Sequence, residues 1–161
     1  MTQRRSLAFV VCCCLLLVPS ILAQTLQVLN VDGHSTTIAA AQIANSPHVT
    51  ISVVDHDKTV QFEGVPLATL LTMASIQLGD ALRGPRMAEA LLVTAADGYK
   101  VAFALTEIDP AFAVREIILA DKKDGKPLDA REGPFRIVAP GDKRPARWIR
   151  QVTELKVTTV K

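Results

Sequence analysis

At 161 residues, with 18 basic against 16 acidic side chains, the chain is long enough for one compact domain with a real core. Its charge is too balanced for a nucleic-acid or general membrane-surface binder. Its three cysteines, Cys12, Cys13 and Cys14, sit together in one apolar run near the N-terminus, which excludes a disulfide framework and thiolate chemistry from residues 24–161.

The opening "MTQRRSLAFVVCCCLLLVPSILAQ" sets Arg4 and Arg5 before an uncharged apolar run and offers small residues up to Ala23. That is the layout of a secretory signal peptide over residues 1–23. The run from Ser6 to Val18, closed by Pro19, falls short of the roughly 20 apolar residues of a membrane span, so removal is expected and no stable membrane anchor remains. Val11 rather than a small residue precedes the first cysteine, which argues against a lipoprotein signal. A periplasmic or secreted protein follows, with residues 24–161 as its single domain and an even balance of acids and bases once Arg4 and Arg5 are gone.

Beyond the signal, "LQVLNV" alternates as a strand and Asp32-Gly33 supplies turn chemistry. "TTIAAAQIANSP" has the pattern of a short Thr-capped helix stopped by Asn45-Ser46-Pro47. "HVTISVV" and "KTVQFEG" are two strands around the polar "DHDK" turn. "GVPLATLLTMASIQLG" is the clearest helix, with Pro66 at its first position and Leu67, Leu70, Leu71 and Ala74 on one face. Residues 79–86 form a Gly-, Pro- and Arg-rich loop. "AEALLVTAADGYKVAFAL" is a hairpin about Asp97-Gly98, "TEIDPAF" a brief helical turn or loop, and "REIILADKKDGKPLDA" a strand running into an exposed Asp-Gly turn. "PFRIVAP" and "ARWIRQVTELKVTTV" complete the chain as strands. Strands outnumber helices and hairpins favour antiparallel pairing, so the fold class is α+β, a mixed, mainly antiparallel sheet with few short helices.

No nucleophile elbow, phosphate-cradling loop or dinucleotide fingerprint is present. Asp55, His56 and Asp57 are competent metal donors, but neighbouring turn side chains diverge, so a solvated polar turn is the simpler reading and no metal ligands are assigned. The distinctive stretch is "DAREGPFRIVAPGDKRPARWIRQV", residues 129–152. Its six basic residues face only Asp129, Glu132 and Asp142. Strand alternation sends Phe135 and Ile137 inward and Arg136 to the opposite face. The Pro140-Gly141 turn returns Lys143, Arg144 and Arg147 soon afterwards, so these cations could converge on an anion. Salt bridges to Glu132, Asp142 and acids elsewhere are the plainer use of the same residues.

The ordered series "FEGVPLATLL", "VTAADGYKVAFALTEID" and "LADKKDGKPLDAREGPFRIVAPGDKRPARWIRQV" resembles the oxidoreductase molybdopterin-binding domain of sulfite oxidases and related molybdenum enzymes, over nearly all of residues 48–157. It is closest in form to the family's small, free-standing exported members. The resemblance implies a sulfite-oxidase-like fold and a molybdopterin cofactor held by Arg136, Lys143, Arg144 and Arg147, with Arg147 in place of the family's usual lysine. Glu132 stands where many catalytic members have histidine. The interval that carries the metal-binding cysteine in catalytic members reads "DHDKTVQFE" here, and no histidine or aspartate replaces a thiolate. The expected function is therefore an exported, noncatalytic anion-, ligand- or partner-binding module with no catalytic residues, whose partner is a small anion or an exported redox protein. The alternative is a molybdopterin-dependent oxidoreductase or a subunit of one.

Overall fold

The computed structural model describes residues 24–55 and 58–160. The expected signal peptide with its three cysteines, and the His56–Asp57 pair weighed as metal donors, lie outside the described residues. From Gln24 onward the chain opens with β1 (Thr25–Leu29) and β2 (Ser35–Ala39), an antiparallel hairpin. Gly33 adopts a φ of +87° in its turn, open to a residue without Cβ.

Thr36 and Thr37 therefore lie in β2 rather than capping a helix, because pairing with β1 satisfies their backbone and β-branched side chains suit the pleat. Only α1 (Ala40–Ala44) is helical. Gln42 closes its first turn, Oε1 accepting from the Ala39 N–H at 2.9 Å.

The first sheet has the order β2-β1-β10-β5-β6, where β5 is Glu89–Ala95, β6 Lys100–Ala104 and β10 Val152–Thr159. In the second sheet β3 (Val49–Asp55) pairs β4 (Lys58–Pro66), which pairs β7 (Ile118–Lys123), and β7 takes both β8 (Lys126–Pro127) and β9 (Arg136–Val138). The β1–β10 pair is parallel and the other pairs are antiparallel. With α1, α2 (Leu67–Met73) and α3 (Leu105–Ile108) as the helices, the expected mixed, mainly antiparallel α+β architecture holds.

The spacing of α2 works as anticipated: Leu67, Leu70 and Leu71 are fully buried and Ala74 nearly so. The helix is shorter than its sequence pattern, since Ser75 turns left-handed at φ 62° just past its end and stops it. Loop 79–86 is tied down: Arg86 donates Nη1 to the Ala81 carbonyl at 3.1 Å and pairs with the buried Glu89 at 2.9 Å. The last segment is a strand only from Val152; Pro145–Arg147 is a single 3₁₀ turn. Side chains of both sheets and α2, among them Phe62, Leu70, Phe103, Ile118, Ile137 and Leu155, form one apolar cluster.

At the β4–β7 junction the register shifts between Glu63 and Gly64. A Cβ on Gly64 would collide with the Leu119 carbonyl oxygen and the Ala120 Cα, backbone atoms that cannot swing away. Gly64→Ala is therefore expected to lower stability by about 2 kcal/mol or more, read as a reduced urea midpoint with unchanged m-value.

Candidate functional site

The strand β9 that carries Arg136 is buried throughout, as are Phe135 before it and Ala139 after it. Arg136 thus has no solvent-facing side of a sheet to occupy, contrary to simple alternation. Its guanidinium lies between two rings, Cζ being 4.9 Å from the centroid of Phe62 and 5.7 Å from that of Trp148. Those rings meet edge to face at 6.4 Å. A cation taken out of water needs a counter-charge, and Glu132 supplies it: Arg136 Nη1 donates to Oε1 at 2.7 Å. Glu132 is held by the Asp129 turn, whose Oδ1 accepts from the Arg131 and Glu132 N–H groups at 2.9 and 3.0 Å. Lys123 Nζ stands 3.6 Å from the same Glu132 oxygen.

Arg147, on the 3₁₀ turn, is also internally paired. Nε and Nη2 form a bidentate fork on Asp142 at 3.0 and 2.6 Å, Nη1 reaches Glu107 Oε2 at 3.1 Å, and Cζ lies 4.5 Å from the Phe103 ring centroid. The hydrogen bond to Asp142, then that to Glu107, raises the Arg147 pKa above the ordinary arginine value against the opposing effect of burial. Lys143 and Arg144 are exposed, and neither forms an ion pair among the described residues. The four cations named from sequence are not gathered on one concavity.

Arg147 alone among the four lines a cleft of about 350 Å³, with Glu107, Val114, Arg115, Gly141 and Asp142. The cleft shares Val114, Arg115 and Pro140 with a larger groove of about 720 Å³ along residues 110–117, where Ile51, Pro66 and Phe112 add apolar walls. Phe112 and Val114 are exposed. Asp109, which is buried, shapes this loop: Oδ1 accepts from the Ala111 N–H at 2.9 Å and Oδ2 from the Gly79 N–H at 2.6 Å. Its carbonyl accepts from the N–H groups of Phe112 and Ala113. Arg115 lies against Gly141, where a Cβ would come within 3.3 Å of its Nη1. The mouth of the groove therefore carries a guanidinium with no ion pair among the described residues, in contrast to Arg147 beside it.

Residues 41–161 match the model of the oxidoreductase molybdopterin-binding domain. The chain belongs to that family. A solved structure similar in fold is that of the sulfane dehydrogenase SoxCD from Paracoccus pantotrophus, with a TM-score of 0.65 and 16% identity, covering 84% of this chain and 38% of that one. The chain thus spans well under half the length of that structure, and the similarity is one of fold. No curated protein matches it.

Within this molybdopterin-family domain, sequence reasoning passed over Glu107 and Asp109 as site-forming residues. Both lie in "TEIDPAF". Glu107 at the third position of α3, with Oε1 accepting from the Ala104 N–H at 3.0 Å, and Asp before Pro-Ala are cap and turn signals that could have found them.

Arg136→Ala would leave Glu132 without its 2.7 Å partner and open space between two rings, so a loss of about 3 kcal/mol is expected in urea unfolding. Lys122→Ala, which removes an exposed ion pair to Glu63 at 3.5 Å, should change stability by less than about 1 kcal/mol. The Arg147 pairing is protonated throughout ordinary conditions. Because its pKa is raised on folding, its contribution is complete below the unfolded value and lost only as strongly alkaline pH passes the folded one. The arginine's own ionisation should therefore leave the stability gap between the native protein and Arg147→Gln flat from roughly pH 6 to 9, as checked by unfolding at each pH.

Proposed function

We propose that this domain is an exported, noncatalytic binding module that retains the molybdopterin-domain fold while using its former cofactor-side arginines as structural cations. One observation carries the reading. The two arginines that the family motif would direct at a pterin phosphate are already paired with acids, Arg136 with Glu132 at 2.7 Å and Arg147 with Asp142 at 2.6 Å and Glu107 at 3.1 Å. A phosphate approaching either would meet those carboxylates, and at Arg136, which is buried, separating the pair costs more than an exposed contact returns.

The donor set points the same way. The residues present do not fit a pterin-held molybdenum centre of the thiolate-ligated kind, since residues 24–161 contain no cysteine and a soft thiolate has no equivalent among carboxylates and imidazoles. Among the described residues no group of three or more His, Cys, Asp and Glu side chains is placed to hold a metal.

Binding falls instead to the groove along residues 110–117, whose apolar walls and opposite rim charges, Arg115 and Glu116, suit a ligand or partner segment with an apolar body and a polar end. A second reading, a molybdopterin-dependent oxidoreductase or a subunit of one, is supported by the family match over residues 41–161.

The two separate on composition. Protein exported by a host that makes the cofactor should contain molybdenum and releasable pterin far below one per chain. Stoichiometric metal and pterin would overturn the noncatalytic reading in favour of the oxidoreductase.

A further inference from the structure

On a different part of the molecule, three segments meet around a cleft of about 640 Å³ lined by Asp97, Tyr99, Arg131, Trp148 and Arg150 among others. They are the β5–β6 turn, the Asp129–Gly133 turn and the corner that leads into β10. Gln151, at the centre of that corner, is held in the left-handed region at φ 51°, a conformation that a side chain with Cβ adopts at a cost.

Three hydrogen bonds enforce it. The Gln151 N–H donates to the Glu132 carbonyl at 3.0 Å, the Ala96 N–H donates to the Gln151 carbonyl at 2.9 Å, and Gln151 Nε2 donates to the Ala130 carbonyl at 2.8 Å. The strained residue therefore bolts together the turn bearing Arg131, the corner bearing Arg150 and the hairpin bearing Asp97 and Tyr99.

The charges in this cleft differ from those around Arg136 and Arg147. Arg131 and Arg150 are exposed, and neither forms an ion pair among the described residues. The one acid in the lining, Asp97, has Oδ1 engaged by the Tyr99 N–H at 2.9 Å. Two guanidinium groups against one carboxylate leave a positive cleft. Trp148 and Tyr99 also line it, and the Tyr99 hydroxyl makes a long hydrogen bond of 3.3 Å to the Ala146 carbonyl. Guanidinium forks match the oxygen spacing of tetrahedral oxyanions, and Asp97 and the Tyr99 hydroxyl stand beside them as partners for a neighbouring hydroxyl.

We propose that Arg131 and Arg150, on backbone held by the Gln151 corner, form a phosphate-binding site that takes inorganic phosphate or a phosphate monoester. The site is independent of the groove along residues 110–117, because the two share no lining residue. Arg136, Lys143, Arg144 and Arg147 do not line it, although Trp148 is common to this cleft and to the surroundings of Arg136.

Trp148, the chain's only tryptophan, is a built-in reporter. Titrating the whole exported protein with inorganic phosphate at fixed ionic strength should change its fluorescence saturably. Arg131→Gln and Arg150→Gln should each raise the midpoint by about tenfold or more. Arg83→Gln, which removes another exposed arginine without an ion pair, should leave it unchanged and its fold can be checked alongside by circular dichroism. A non-saturating response, or equal midpoints in all three variants, would overturn the site and reduce it to general charge attraction. Tighter binding of glycerol 3-phosphate than of inorganic phosphate would assign a monoester as the ligand; weaker or equal binding would assign the free ion, and both uphold the site.

Discussion

A single buried cation organises the middle of this domain. Arg136 has been drawn out of water at the centre of a short strand, and a bare charge in such a place would cost several kcal/mol. Three side chains answer that cost: Phe62 from β4 and Trp148 from the 3₁₀ corner offer their rings, and Glu132 offers a carboxylate from the Asp129 turn. Four separate stretches of chain are brought to one point by the need to accommodate one guanidinium.

The same arrangement changes what the family's motif can do. An arginine that recognises a phosphate must keep its donors available until the ligand arrives, whereas Arg136 directs Nη1 at Glu132 and Arg147 has committed its fork to Asp142 and Glu107. Conversion from ligand recognition to internal pairing needs few substitutions, because an acid placed one turn or one loop away captures the fork without moving the backbone. Arg115, Arg131 and Arg150, by contrast, have no ion pair among the described residues, line clefts, and keep their donors available.

Much of the architecture was legible from periodicity. The Asp97-Gly98 hairpin, the β3–β4 pair and the apolar face of α2 all follow from local patterns whose physics is local. Thr36 and Thr37 were misassigned to a helix because the decisive partner, β1, lies across a turn and outweighs a weak capping signal. The corner at Arg147–Gln151 was hidden for a similar reason, since its conformation is imposed by carbonyls at Glu132 and Ala130 rather than by its own residues. Of the site, the Arg136–Glu132 and Arg147–Asp142 pairs were visible as short-range possibilities. The Glu107–Arg147 contact joins residues 40 apart, and no local pattern announces it.

The parallel pairing of β1 with β10 also sets an order of events. In the first sheet the β1–β2 hairpin and the β5–β6 hairpin do not touch each other in register; β10 lies between them and is bonded to both. A chain emerging N-terminus first makes that central strand last. Until residues 152–159 are present, both hairpins expose unpaired edges and half of the core has no lid. The first sheet therefore cannot close until residues 152–159 join its two hairpins.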